Sequence, residues 1–180
     1  TELEGSDQVR DQAVFETALG AVLEEGLIID AVLAGSQRER EGFWAIRDGV
    51  GDIGPFIKDA ANFDVSVPIS SMNAFLETVE TEVSAVFPAA KILAFGHIAD
   101  SNMHFLCMTG RHEDIKAIYA IVYRVVGQFA GSVSAEHGIG VQKIQYLGYS
   151  RTPEELALMR TLKQAMDPRG LLNPGRVLPE

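Results

Sequence analysis

Two apolar runs, KILAFGH (91–97) and NMHFLCMT (102–109), stand either side of the short segment IADS, and this arrangement constrains the fold more than any other stretch of the chain. Both runs read as strands, and the segment between them reads as a two-residue hairpin turn centred on Asp100 and Ser101. A helical spacing of apolar residues precedes the hairpin (Met72, Phe75, Leu76, Val79, Val83, Val86) and another follows it (Ile115, Ile118, Tyr119, Val122, Val126, Phe129). FDVSVP (63–68) alternates with period two and predicts one more short strand. Toward the N-terminus, Phe15 to Leu23 predicts a helix that Ser6 or Asp7 caps and Gly26 stops. LIIDAVLAG (27–35) then reads as a strand, SQREREGFWAIRDGV (36–50) as a helix and GDIGPFIKDAAN (51–62) as irregular. Thr152, Pro153 and Glu155 form a capping box with proline at the first helical position, opening a last helix that closes near Met166. The final residues, PRGLLNPGRVLP, carry no periodicity and predict an extended tail lying against something else. With no repeat and no linker-like tract, the 180 residues read as one α+β domain, helices on one face of a mainly antiparallel sheet.

The balance of 15 basic against 25 acidic residues, a net charge of −10, excludes the basic footprint that nucleic acid or an anionic membrane surface requires. Cys107 is the single cysteine, so there is no disulfide framework and a reducing, cytoplasmic setting is expected. The longest apolar runs, such as AIYAIVY, are too short for a transmembrane segment, and TELEGSD has no signal-peptide character.

Two of the four histidines, His97 and His104, lie symmetrically about the expected turn. Directly opposed residues of a hairpin share a face, about 4.5–5.5 Å apart at Cβ, which suits two imidazoles on one metal ion. It equally suits a histidine pair held by ordinary hydrogen bonds. SAEHGIG (134–140) adds Glu136 and His137 before two glycines that let the backbone turn. Two histidines and a carboxylate form a familiar ligand set for zinc or a related divalent ion, with His137 left free as an acid or base. Asn102 shares the side of His104 and could orient a ligand. Arg47 falls on the apolar face of its helix, beside Phe43, Trp44 and Val50. It reads either as a snorkelling side chain paired with a local acid or as a clamp for a substrate carboxylate. Cys107 reads as core, His112 as solvated, and Lys58, Asn62 and Lys143 as surface groups when taken singly.

These residues together resemble the C-terminal, substrate-side domain of FAD-linked oxidases. GHIADSNMHF is similar to its GHxGDGNxH motif, SAEHGIGVQK to SxEHGIGxxK and LLNPGRVLP to NPGKxLP, with FWAIRDGV and DVSVPIS as further blocks in the same order. The family comprises flavoproteins of the vanillyl-alcohol-oxidase type, including D-lactate, glycolate and D-2-hydroxyglutarate dehydrogenases. The resemblance implies a ferredoxin-like domain, truncated at its front, whose FAD is bound mainly by a separate N-terminal domain. It further implies His97, His104 and Glu136 as ligands of a divalent metal such as zinc, and His137 as the catalytic base. Arg47, Asn102 and Lys58 would bind substrate, and Asn173, Gly175 and Arg176 would lie near the flavin. The expected partners are a 2-hydroxy acid, the FAD-binding domain, an electron acceptor the sequence does not identify, and a second copy in a homodimer.

The chain departs from the motifs in carrying Ala99 and Ser101 where the family has glycines. Asn62 and Leu106 stand where relatives of the D-2-hydroxyglutarate type often have lysine and asparagine, which weakens that particular substrate assignment. Two further readings stay open: a metal- and acid-binding module without turnover, and a metal-dependent hydrolase that works without flavin.

Overall fold

In the computed structural model the residues described are 2–3 and 5–178, and they form two compact units, Thr1–Ile53 and Gly54–Glu180. The junction falls within a glycine-bearing 3-10 stretch, Gly49–Phe56, with no charge run or low-complexity tract to mark it.

The first unit carries α1 (Gln8–Glu24) and α2 (Gln37–Asp48). Asp7 caps α1 by accepting from Arg10 N–H, and Ser36 caps α2 by accepting from Glu39 N–H. The strand expected over 27–35 is absent. Leu27, Ile29 and Val32 stand 69%, 101% and 74% exposed, and the Ala31 N–H turns back onto Asp30 Oδ1 at 2.8 Å. A run of β-branched residues makes a strand only where a neighbour takes its backbone hydrogen bonds, and this one has none among the described residues.

The second unit is a split β-α-β-β-α arrangement: β1 (Ala60–Ser66), α3 (Met72–Val86), β2 (Lys91–His97), β3 (Asn102–Met108) and α4 (Ile115–Gln128), followed by α5 (Pro153–Met166) and the tail. The sheet is antiparallel in the order β1-β3-β2, and α3 and α4 pack on one face of it in ferredoxin-like fashion. A fourth strand is reduced to a single bridge, Ser66 with Ser132, on the free edge of β1. β1 starts at Ala60, ahead of the alternating run, because Ala60–Asn62 continue the ladder with Met108–Leu106.

Strand alternation sends Phe63, Val65, Met103, Phe105 and Cys107 into a core shared with Phe75, Val79 and Val83 of α3 and Ile118, Val122 and Val126 of α4. Phe63 and Phe105 stack at 4.5 Å between centroids, across from one another in the register. The opposite face carries three successive cross-strand rows: Ser66, Asn102 and His97; then Asp64, His104 and Phe95; then Asn62, Leu106 and Leu93.

The hairpin register differs from the expected one. His97 pairs with Asn102, and His104 with Phe95, because Ile98–Asp100 form a 3-10 turn and Ser101 takes the left-handed conformation at φ 57°. The slip is of even parity, so it moves His97 and His104 from opposed to diagonal positions while leaving both on one face.

Candidate functional site

Asp64 organises the open face. Its side chain is 1% exposed, and its carboxylate accepts the N–H groups of Ala135 (3.2 Å), Glu136 (3.1 Å) and His137 (2.8 Å) and the Ser134 hydroxyl (3.2 Å). Lys143 Nζ adds a charge-assisted bond at 3.3 Å and also donates to the Asp64 carbonyl at 3.2 Å. Burial pushes this carboxyl upward, but the His137 and Glu136 N–H groups and the Lys143 charge outweigh it and hold the pKa at about 2. The same burial pulls Lys143 downward against the opposing pull of Asp64. Lys143 is therefore a buried partner, not the surface group its isolated reading suggested.

The loop so anchored brings Glu136 over the two strand histidines. His97 Nε2 lies 3.8 Å from Glu136 Oε1, and His104 Nε2 lies 3.6 Å from Glu136 Oε2. These two separations are close to the edge of a tetrahedral shell, about 3.3–3.6 Å for metal bonds of about 2.0–2.2 Å, and the three residues each offer one donor atom to a common point. A second trio is Asp64, His104 and His137, with His104 Nδ1 3.9 Å and His137 Nδ1 3.8 Å from the Asp64 carboxylate. Its carboxylate is already occupied by backbone donors and Lys143, whereas the half-exposed Glu136 carboxylate meets only the two histidines among the described residues. The donor set best able to take a divalent ion is thus His97, His104 and Glu136.

His137 stacks on His104 at 5.7 Å between centroids, with Nδ1 3.8 Å from Asp64 Oδ2. Asn102 Nδ2 approaches His104 Nε2 at 3.3 Å, and Asn102 Oδ1 is buried without a hydrogen-bond partner, an acceptor that a ligand or water at this face would satisfy.

A cleft of about 320 Å³ opens beside His137 and includes Asn62, Asp64, Tyr119, Lys143 and Arg176 in its walls. Arg176 reaches it because the Val177 N–H donates to the Gly140 carbonyl at 2.9 Å, tying the tail to the GIG turn. The tail is also fastened at its start: Asp167 accepts the N–H groups of Leu171 (3.0 Å) and Leu172 (2.8 Å) and pairs with Lys163. Asn173 and Gly175 lie in this segment with φ of 46° and 64°; Pro179 of the tail motif is outside the described residues.

Arg47 belongs to the first unit. Its guanidinium sits over the Trp44 ring at 5.6 Å and pairs with the neighbouring Asp48 at 3.1 Å, both exposed. The apolar face on which it was expected buries nothing, since α2 has no buried residue. Lys58 is exposed just ahead of β1. Cys107 is buried core and His112 is solvated, paired with Asp59 at 3.3 Å.

Asp64 is the functional residue that sequence reasoning passed over. Its signal was an acid alternating with Phe63 and Val65 in a strand, on the same side as the histidines.

Residues 1–177 match the family described as FAD linked oxidases, C-terminal domain. The chain is similar to D-2-hydroxyglutarate dehydrogenases: 33% identical over 99% of its length to the mitochondrial protein of Arabidopsis thaliana, 34% over 99% to that of Rattus norvegicus, and 31% over 98% to that of Stutzerimonas stutzeri. It spans 32%, 33% and 39% of these relatives, so about a third of the length of the curated proteins it matches. The plant and rat proteins are named as mitochondrial, a compartment other than the cytoplasm expected from the lone cysteine. Among the described residues no helix is long and apolar enough to cross a membrane.

Proposed function

Because the chain belongs to the C-terminal domain family of FAD-linked oxidases, we propose that it is the substrate-side part of a flavin-dependent dehydrogenase that converts a D-2-hydroxy acid to its 2-oxo acid. The observation that carries this reading is the meeting of His97, His104 and Glu136 beside His137 on the face of the sheet opposite α3 and α4. When bound, FAD supplies the two-electron acceptor and a divalent ion, zinc for this donor set, supplies a Lewis acid.

The chain's own residues do the rest. His97, His104 and Glu136 hold the ion, and Asp64 sets the loop so that Glu136 faces both histidines. His137, held through its backbone N–H on Asp64 Oδ2 with its Nδ1 3.8 Å from the same oxygen, takes the proton of the substrate hydroxyl at Nε2. Asn102 orients the substrate with its buried amide. Arg176 stands in the wall of the cleft, and with Asn173 and Gly175 it would contact the flavin when that is bound.

Two measurements on the flavin-loaded protein test this. Elemental analysis should give one divalent metal per chain, lost in His104→Ala. His137→Asn should slow flavin reduction by about 10²- to 10⁴-fold. Absence of metal in the wild type removes the ion from the reading, and an unchanged reduction rate removes His137 as the base.

A further inference from the structure

The chemistry above uses neither Ser134 nor Lys143, yet the two meet at the root of the loop that carries Glu136 and His137. Lys143 is buried, and its three ammonium hydrogens have three acceptors: the Asp64 carbonyl at 3.2 Å, Asp64 Oδ2 at 3.3 Å and Ser134 Oγ at 3.0 Å. The first two fasten Lys143 to β1, and the third fastens it to the first residue of the segment SAEHG. Its own N–H donates to the Ile139 carbonyl at 3.2 Å, just beyond that segment. One side chain thus ties the strand to both flanks of the loop, and its hydrogens are all spent within the fold.

Ser134 has a single hydroxyl hydrogen and two acceptors for it, Asp64 Oδ2 at 3.2 Å and the Gly138 carbonyl at 2.9 Å. The shorter arm, to Gly138, closes a ring from Ser134 to Gly138 with Glu136 and His137 inside it. Lys143 donates to the same oxygen and so polarises the hydroxyl that closes the ring. Ser134 is itself anchored, since Ser132 Oγ donates to its carbonyl at 2.8 Å. The loop needs such a closure. Gly138 and Gly140 hold φ of 77° and 55°, where glycine is unstrained but unconstrained, and the half-exposed Glu136 side chain has only the two histidines to place it among the described residues. Without the ring, ordering this carboxylate over His97 and His104 would cost backbone freedom each time an ion binds.

We infer that Ser134 is a positioning residue, oriented by Lys143, which holds the Glu136 carboxylate over His97 and His104 through the ring to Gly138. This rests on the metal reading above and goes beyond it, because Ser134 supplies no ligand atom and is not part of the lining of the cleft beside His137.

The test is zinc affinity of the flavin-loaded protein, stripped of metal and titrated with zinc against a fluorescent chelator, with Tm recorded in the absence of zinc. Ser134→Ala removes one oxygen from a half-buried site and should raise the zinc Kd by about 10- to 100-fold while lowering Tm by no more than a few degrees. Ser134→Thr keeps the hydroxyl and should stay within about threefold of the wild type. Lys143→Met should weaken zinc at least as much as Ser134→Ala, with a larger loss of Tm because it also leaves Asp64 without its counter-ion. A Ser134→Ala Kd within about threefold of the wild type's overturns the inference and leaves the metal reading standing. A Ser134→Thr protein as weak as Ser134→Ala overturns it too, since the hydroxyl would then not be the cause. A wild type that binds no zinc removes the ion from the reading above, and this inference with it.

Discussion

Replacing Asp64 by asparagine keeps the shape of the side chain and removes the charge on which the loop hangs. The carboxyl drops from an ordinary 3.8 to about 2 in the folded protein, nearly two pH units, equivalent to about 2 kcal/mol favouring the ionised fold. Asparagine also turns an NH2 group toward donors that need an acceptor, and it leaves Lys143 buried without its counter-ion. The expected loss is about 3 kcal/mol at pH 7, read as a fall in the urea midpoint of the 180-residue chain followed by far-UV circular dichroism. Because the folded pKa is depressed, the stabilisation is complete above about pH 3.8 and is lost as pH falls through about 2. The gap between wild type and Asp64→Asn should accordingly be widest near neutrality and close on approach to pH 2. Adding Lys143→Met to Asp64→Asn should cost less than the sum of the two single changes, since they share one ion pair. A neutral-pH difference under about 0.5 kcal/mol, or one that does not shrink with acid, would refute the role given to this carboxylate.

Two further outcomes follow from the hairpin. A Cβ on Gly96 would stand 2.3 Å from the Asn102 carbonyl oxygen, so Gly96→Ala should push β2 off β3 beside His97. It should cost about 1–3 kcal/mol, seen as a lower Tm, and weaken zinc binding measured by competition with a chelator. Ser101 holds φ 57°, a conformation that glycine adopts without strain, so Ser101→Gly should raise stability by up to about 1 kcal/mol and leave zinc affinity within a few fold. An unchanged or lower Tm for Ser101→Gly would show that the turn is not strained by its side chain.

Local periodicity made most of the second unit legible. Helical spacing at Met72–Val86 and Ile115–Gln128, alternation in the three strands and the capping box at Thr152 are short-range signals, and each element forms where its pattern stands. The segment 27–35 misled because apolar composition was read without a partner strand. The hairpin register misled because symmetry about Asp100 and Ser101 assumed a two-residue turn, while Ile98–Asp100 wind into a 3-10 turn.

By itself, then, the sequence determined which residues are chemically able to form a site, and that His97, His104 and Asn102 share a sheet face, since face depends only on parity along a strand. Which carboxylate serves the histidines was decided by the tertiary structure. Asp64 and Glu136 lie 72 residues apart, and they divide their tasks because one is buried under consecutive N–H groups while the other is left half-exposed above two imidazoles. The burial of Lys143 and the neutral row at Asn62 and Leu106 were settled in the same way, by cross-strand register and by loops that arrive from far along the chain. Spacing in one dimension does not encode such meetings, because they depend on the summed packing of the whole unit.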